Sequence, residues 1–369
     1  MKMRCYISFI SAIILTNLTY NKLEAQTPFQ LDSTKKVIIT AHPILGYTPE
    51  TKLMFGLGGF VFLKNKSTYK KNSLTEINQI NPFFIYTLNK QIRFVTSAQF
   101  YINRNYIDGR LEISKFPDYY FGVGNFTNSE SEIFTQRIFR FTCSYMRRIN
   151  YQIQAGVVFE AGKVKNEEII NGGLLETDSN HLPISSANTG IGPNFLWDKR
   201  DNAISPHTGY YLHTYYIYRP EFLNEFAFHK YYFDFRKYFP LFSKNSMLAL
   251  QLKSTLIFGE TVPLYYYTQL GGETRLRGII ANRYIDHKMA FVQAEYRQMV
   301  NPVIGFVVFT GAGRVGKEIA DVKPDHLRYC VGGGMRFVLL KNPAFRFRID
   351  CGYGTDKQVG IYAGLYEVF

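Results

Sequence analysis

Long stretches of this chain alternate apolar and polar residues with a period of two. In residues 345–351 the odd positions are apolar, whereas Arg346, Arg348 and Asp350 share the other face. Residues 291–297 repeat the pattern. Because successive side chains of a β-strand point to opposite faces, the pattern predicts strands that are apolar on one side and polar on the other.

The apolar face of these segments is strongly aromatic, since the 369-residue chain contains 28 Tyr and 32 Phe. The candidate strands run for about 10–15 residues, which is longer than the five or six residues usual in soluble sandwiches. Hydrophobic residues make up only 46% of the chain. After residue 26, no run approaches the roughly 20 apolar residues that a membrane-spanning helix needs. Long strands with an aromatic outer face are typical of outer-membrane barrels.

We predict an all-β fold, a transmembrane antiparallel β-barrel of about 16 strands, because an even number returns the C-terminus to the side on which the chain enters. The strands are expected near residues 36–47, 51–64, 73–88, 91–103, 105–115, 130–148, 151–162, 187–198, 209–222, 226–240, 246–260, 287–300, 302–314, 326–340, 344–354 and 357–369. Short turns at Arg104, Asn150, 301–302 and 341–343 are assigned to the periplasm, and the long connections 116–129, 163–186, 261–286 and 315–325 to the outside.

Residues 1–25 have the pattern of a secretory signal peptide. Lys2 and Arg4 precede an apolar stretch, and a small residue follows at the expected cleavage point. We expect residues 26–36 to form a short periplasmic tail and residues 37–369 to form the barrel. An exported barrel of this kind is expected in the outer membrane of a bacterial cell, with lipid around its outer face.

The sequence contains no recognisable catalytic motif. It has no Gly-x-Ser-x-Gly elbow, no His-Glu-x-x-His pair and no phosphate-binding Gly-Lys-Ser/Thr loop, and its seven His show no metal-ligand spacing. We therefore expect no enzyme activity, no catalytic residue, no metal and no cofactor. Cys330 and Cys351 fall on opposite faces of adjacent strands, which argues against a disulfide between them.

The chain is basic, with 43 Lys and Arg against 29 Asp and Glu and a formal net charge of +14. The basic residues are dispersed along strands and turns and do not gather on one recognition element, so we expect no nucleic-acid partner. Pairing with carboxylates inside the lumen and contact with lipid phosphates at the barrel rim are sufficient uses for them.

One predicted external loop contains an unusual motif. Within residues 261–286, a Gly-Gly pair is followed by the tetrad Leu276, Arg277, Gly278 and Ile279. An isolated Arg-Gly pair would carry no information. The position of this tetrad in a long loop, at this distance from the C-terminus, is far more specific.

A second motif lies in the turn after the eighth predicted strand, where Asp198, Arg200 and Asp201 follow a Trp. Together with the tetrad, the segment 345–354 and the terminal Phe369, this turn resembles the bacterial surface antigen superfamily. These are the BamA-like barrels of outer-membrane assembly and translocation. The resemblance extends over essentially the whole predicted barrel.

The resemblance implies that the tetrad loop folds back into the lumen, where Arg277 pairs with an acidic residue of the wall. Glu295 matches that wall position. A buried guanidinium–carboxylate pair can adopt a bidentate geometry, which would hold the loop in one place. The family usually has Asp at the position of Gly311, so one expected partner of Arg277 is missing from this sequence.

Relatives in the family usually carry periplasmic polypeptide-transport-associated domains before the barrel. The sequence before residue 37 has no room for one, so the chain resembles the barrel-only subgroup. Capture of a substrate would then be supplied by another protein. We therefore expect a periplasmic or outer-membrane protein partner.

Two classes of function follow from the resemblance. In the first, the barrel assembles, inserts or translocates proteins or lipids through a seam between its first and last strands, residues 36–47 and 357–369. Pro43 cannot donate a ladder hydrogen bond, so it would weaken that seam. In the second, the barrel is a non-enzymatic structural or accessory subunit of a larger outer-membrane complex. A diffusion pore fits less well, because an inserted loop would fill the lumen.

The last strand is expected to continue to the end of the chain. Its terminal Phe369 resembles the signal that the outer-membrane assembly machinery reads, and Glu367 lies on the same predicted face as Phe369. We expect Glu367 near the periplasmic rim, where its carboxylate can reach water.

Overall fold

The computed structural model describes residues 37–48, 52–63, 78–127, 130–179, 185–203, 205–243, 245–341 and 344–369. Within these ranges the fold is almost entirely β-structure. The predicted signal peptide (residues 1–25) and periplasmic tail (residues 26–36) lie outside the described residues. No helix in the described ranges is long and apolar enough to cross a membrane.

In chain order, the strands are β1 (Val37–Thr48), β2 (Lys52–Leu63), β3 (Asn78–Thr87), β4 (Ile92–Ile102), β5 (Asn105–Tyr120), β6 (Glu132–Arg148), β7 (Ile153–Glu167), β8 (Ser186–Asp198), β9 (Gly209–Arg219), β10 (Phe228–Pro240), β11 (Ser246–Phe258), β12 (Thr268–Leu270), β13 (Tyr284–Asp286), β14 (Lys288–Met299), β15 (Ile304–Gly316), β16 (Arg328–Lys341), β17 (Ala344–Gly354) and β18 (Val359–Leu365). A short helix, α1 (Leu174–Ser179), lies between β7 and β8. Strands β1–β11 and β14–β18 form one sixteen-stranded antiparallel sheet, and β12 pairs with β13. The predicted fold class is confirmed.

The sheet has one buried face and one exposed face, as the sequence alternation predicts. In β14, Glu295 is fully buried, whereas Val292 on the other face is 52% exposed. Cys330 in β16 is buried and Cys351 in β17 is exposed, so these two side chains lie on opposite faces. The exposed face is largely aliphatic and aromatic, which suits contact with lipid.

An aromatic contact joins the two ends of the strand order. The ring of Phe60 in β2 lies 5.8 Å, centroid to centroid, from the ring of Tyr366, which directly follows β18. Phe60 shares a face with Met54 and Phe62, which are buried. The sheet is therefore curved enough to bring its two ends close together, and its buried face lines a lumen.

Four tight connections and four long connections lie on opposite edges of the sheet. Tight connections after β4, β6, β14 and β16 lie on the edge assigned to the periplasm, and the long connections after β5, β7, β11 and β15 lie on the opposite edge. Several strands end later than predicted, with β5 continuing to Tyr120 and β7 to Glu167. The external edge is therefore raised along β5, β6 and β7, which contain 16, 17 and 15 residues.

The C-terminal strand is shorter than predicted. β18 ends at Leu365, and Tyr366 then turns the chain with a φ of 68°. The last residues enter the lumen, where Phe369 is only 4% exposed and the side chain of Glu367 is 2% exposed. The predictions that Phe369 belongs to the last strand and that Glu367 reaches water at the rim are wrong. Ion pairs with arginines of the wall hold this segment inside.

Candidate functional site in the barrel lumen

The connection between β11 and β14 lies against the inner wall, as the resemblance implied. It contains a 3-10 turn, Leu264–Tyr266, and the β12–β13 hairpin. Its side chains Leu270, Leu276 and Ile279 have no exposed surface. They pack in one cluster with Tyr284 and with four residues at the external ends of the wall strands, Met289, Phe291, Val315 and Cys330.

Gly278 forms the closest contact between the loop and the wall. Its φ is 109°, which favours glycine, and a Cβ placed there would lie 2.7 Å from backbone atoms of Gly352 and Tyr353 in β17. The N–H of Gly278 also donates a hydrogen bond to the hydroxyl of Tyr362 in β18, at 3.0 Å. The glycine of the tetrad thus allows the loop backbone to lie directly on the last two strands.

Arg277 is 1% exposed and lies at the centre of the site. Its guanidinium donates hydrogen bonds to Glu295 of β14 and to Asp350 of β17, the latter at 2.5 Å. It also lies over the ring of Phe309 in β15, 3.6 Å from the centroid. A buried cation is stable only where carboxylates and hydrogen bonds replace its water. Two carboxylates and an aromatic face do so here.

Gly311 has a steric role at this site. A Cβ at this position would lie 2.6 Å from Cδ2 of Leu276, so the absence of a side chain provides room for the loop. Arg277 lacks the acidic partner expected at position 311 in β15. Asp350 in β17, two strands further round the sheet, takes the place of that partner. Sequence reasoning placed Asp350 on the inner face but did not assign it to Arg277.

Asp350 is shared among several arginines. It accepts hydrogen bonds from Arg336 at 2.6 Å and from Arg348 at 2.9 Å, in addition to that from Arg277. Arg348 also donates to Glu273, a second loop residue that the sequence analysis did not single out. The loop is therefore held at two points by one set of charges on β16 and β17.

The C-terminal segment joins the same set of charges. The carboxylate of Glu367 accepts hydrogen bonds from Arg336 at 2.8 Å and from Arg346 at 2.9 Å. Because Arg336 also binds Asp350, one arginine links the C-terminal segment to the acidic partner of Arg277. The even positions of residues 345–351 predicted this charged face, but no local pattern indicated that Glu367 would reach it.

A second link runs through Arg297 of β14. Its guanidinium donates to Glu295 at 2.8 Å and to the backbone carbonyl of Phe369 at 2.7 Å. The ring of Phe369 packs against Tyr238 and Met247, at the periplasmic ends of β10 and β11. The C-terminal segment thus extends across the periplasmic end of the lumen, from β18 to β10 and β11.

The turn motif after β8 is a local structure. Arg200 donates to both carboxylate oxygens of Asp198, at 2.9 and 2.7 Å, and its guanidinium lies over the ring of Tyr211. One oxygen of Asp201 accepts hydrogen bonds from the backbone N–H groups of Asn202, His207 and Thr208. Both interactions stabilise a periplasmic turn.

Pro43 lies within β1, opposite Leu57 of β2, and its side chain is exposed on the outer face. No group of three or more His, Cys, Asp and Glu residues in the described ranges could hold a metal ion. The site built around Arg277 is an ion network that holds the loop, the wall strands and the C-terminal segment together.

The order of the strands, the inserted loop and the anchored tetrad agree with the result of sequence comparison. The Omp85 superfamily domain matches residues 54–365. The chain belongs to the Omp85 superfamily. This Omp85 barrel is located in the bacterial outer membrane, and the predicted family and location are confirmed.

Two solved structures share the fold of this Omp85 barrel. BamA from Haemophilus ducreyi lacking POTRA domains 1–3 superposes with a TM-score of 0.61 and 10% identity, over 89% of this chain and 70% of that one. CdiB from Acinetobacter baumannii gives a TM-score of 0.55 and 13% identity, over 90% of this chain and 59% of that one. No curated protein matches the chain in sequence.

Asp350→Asn tests the second partner of Arg277. The change keeps the side-chain shape but leaves buried guanidinium groups short of one negative charge, so it should lower the free energy of unfolding by about 3–5 kcal/mol. Glu225→Gln is the control, because Glu225 is exposed in the connection between β9 and β10. It should cost less than about 1 kcal/mol. Urea unfolding in lipid vesicles measures both, and equal costs would contradict the proposed network.

Gly311→Asp restores the residue that is usual in the family and should nevertheless destabilise this barrel. Any side chain there meets Leu276 and the carbonyl oxygen of Val292, 2.9 Å from the ideal Cβ. Overpacking of this kind costs about 1–3 kcal/mol. Gly311→Ala should show the same direction, whereas Gly109→Ala should be tolerated sterically, because its nearest neighbour would be 3.8 Å away. An Asp variant more stable than the wild type would refute the steric role of Gly311.

Proposed function

We propose that this Omp85 barrel acts in the assembly, insertion or translocation of proteins, or of lipids, at the outer membrane. In this proposal, the barrel opens laterally at the seam between β1 and β18 and performs no catalysis. The work is mechanical: strands separate, a client strand or acyl chain passes, and the strands pair again. The requirements are a weak junction and an element that controls it.

The early end of β18 is the observation that carries the proposal. β18 forms seven register pairs with β17, whereas β1 spans twelve residues. Each ladder hydrogen bond contributes about 0.5–1.5 kcal/mol to stability, so a short strand holds a neighbour less firmly than a long one. Pro43 lacks an N–H group and removes one donor from β1. These features support the seam as the weakest junction of the barrel.

The tetrad loop is the element suited to control the seam. Its tip lies on β17, and Gly278 is bonded to Tyr362 of β18. Glu273 lies close to Gly364, since a Cβ at Gly364 would be 2.9 Å from the Glu273 carboxylate. A client strand that pairs with β1 must displace β18. The loop contacts then set how far β18 can move.

Delivery of the substrate requires a further component in this proposal. The described residues form the barrel wall, its connections and the inserted loop. A periplasmic or outer-membrane protein partner would capture the client and present it at the seam.

The alternative proposal is a structural or accessory subunit of a larger outer-membrane complex. One observation favours it: the same ion network binds the loop and the C-terminal segment, and such a network can stiffen a scaffold as well as control a gate. The two proposals differ in whether β1 and β18 ever separate.

A disulfide across the seam distinguishes the two proposals. Ile39 in β1 is 71% exposed on the outer face, and Ala363 in β18 pairs with Ile349, which is also on the outer face. Ile39→Cys with Ala363→Cys, and Ala41→Cys with Ala363→Cys for a neighbouring register, should lock the seam where the Cα atoms lie within about 7 Å. Tyr362 is unsuitable, because its side chain points into the lumen.

The matched control locks a junction that need not open. Val292 and Ala312 are register partners of β14 and β15 on the outer face, so Val292→Cys with Ala312→Cys gives an equivalent bond. If the seam opens, the seam lock abolishes cell growth or reconstituted barrel insertion until a reductant is added, and the control lock does not. A seam disulfide that forms fully and changes neither readout leaves the accessory-subunit proposal.

A further inference from the structure

Four basic side chains lie together on the outer face of the barrel. The sheet register places Lys115 of β5 opposite Arg137 of β6, and Arg137 opposite Lys165 of β7. Lys163 lies two residues nearer the periplasmic end of β7 than Lys165, and it is opposite Phe139 of β6. We call Lys115, Arg137, Lys163 and Lys165 the outer basic patch.

The direction of these side chains follows from the burial of their neighbours. In β5, Glu112 and Ser114 are 3% exposed and face the lumen, so the intervening position and Lys115 face outward. In β7, Val158 and Val164 are 2% exposed, which places Lys163 and Lys165 on the outer face. The patch therefore faces the surrounding membrane and not the lumen.

The height of the patch above the periplasmic edge places it at the outer surface of the bilayer. Lys115 is ten residues from the periplasmic end of β5, Arg137 is eleven from that of β6, and Lys165 is twelve from that of β7. A strand crosses the hydrocarbon in about 9–11 residues. Below the patch, Phe139 and Phe141 are exposed on the same face, as expected where lipid chains begin.

The patch has more positive charge than its acidic neighbours neutralise. Glu167 lies within ion-pair distance of Lys115, Arg137 and Lys165, at 3.5, 3.2 and 3.8 Å. Glu168 lies 3.6 Å from Lys115. Among the described residues of this face, four cations and two carboxylates give a net charge of +2.

At the same height above the periplasmic edge, other strands carry different side chains on their outer face. Outward positions near the external ends of other strands carry exposed tyrosines: Tyr218 in β9, Tyr231 in β10, Tyr329 in β16 and Tyr353 in β17. Tyrosine at this level is usual for an outer-membrane barrel. In the described part of the chain, the cations at this level cluster on β5–β7, where the strands also extend furthest outward, which indicates a localised contact.

We propose that the outer basic patch binds the phosphate group of a lipid in the outer leaflet. Lys and Arg side chains at a membrane surface attract anionic headgroups, and a planar guanidinium flanked by ammonium groups matches the oxygens of a phosphate. The acyl chains would lie on Phe139 and Phe141, and a sugar headgroup would lie against the raised ends of β5 and β6. Phosphorylated glycolipids and glycerophospholipids both carry this chemistry.

Lipid binding to the purified full-length barrel in detergent tests the proposal. The probes are bisphosphorylated lipid A, dephosphorylated lipid A and dioleoylphosphatidylglycerol, with bound lipid counted by native mass spectrometry. The patch variant, with Lys115, Arg137, Lys163 and Lys165 each changed to Gln, should lose affinity for phosphate-bearing lipid by about tenfold or more. Preference for lipid A over phosphatidylglycerol identifies a glycolipid site, and equal binding identifies a general phosphate site.

The control variant removes four exposed lysines from external connections, with Lys90, Lys317, Lys323 and Lys357 each changed to Gln. It has the same net charge as the patch variant and should bind like the wild type. Lys163→Gln alone, and a variant with Arg at the three patch lysines, extend the test if the patch variant does not fold. The single change should weaken binding and the Arg variant should retain it. Equal binding by the patch and control variants, or undiminished binding of dephosphorylated lipid A, would overturn the proposal.

Discussion

A guanidinium withdrawn from water needs carboxylates close by, and Arg277 has two, Glu295 and Asp350, from strands that are three places apart in the sheet. This requirement organises the inner face of the barrel. It brings the loop tip to the wall, and it fixes where Gly278 and Leu276 must pack. The apolar side chains of the loop pack around the position of the loop tip that these ion pairs define.

The same carboxylates connect the loop to the end of the chain. Among the described residues, the network contains five arginines and four carboxylates: Arg277, Arg297, Arg336, Arg346 and Arg348 with Glu273, Glu295, Asp350 and Glu367. Groups that share partners do not contribute independently, so loss of one acid affects both the loop and the C-terminal segment. This sharing is the physical basis for linking the state of the loop to the state of β18.

Local sequence patterns predicted the strands and their faces because alternation depends on a few neighbouring residues. They identified Arg277 and Glu295 through the resemblance, and they placed Asp350 on the inner face. They did not reveal that Asp350 replaces the acid missing at Gly311, because that pairing depends on the curvature of the whole sheet. The inward turn after Leu365 was missed for a similar reason, since Glu367 is satisfied only by arginines on other strands.

In the proposed function, the ion network around Arg277 restrains β18, the last strand of the sheet. Hydrogen–deuterium exchange of the barrel in lipid nanodiscs, compared between wild type and Asp350→Asn, measures this restraint at individual segments. We expect faster exchange in β18 (Val359–Leu365) of the variant, with unchanged protection in β3 (Asn78–Thr87) and β4 (Ile92–Ile102), which contribute no residue to the network. Unchanged exchange in β18, or a uniform rise through every strand, would contradict it.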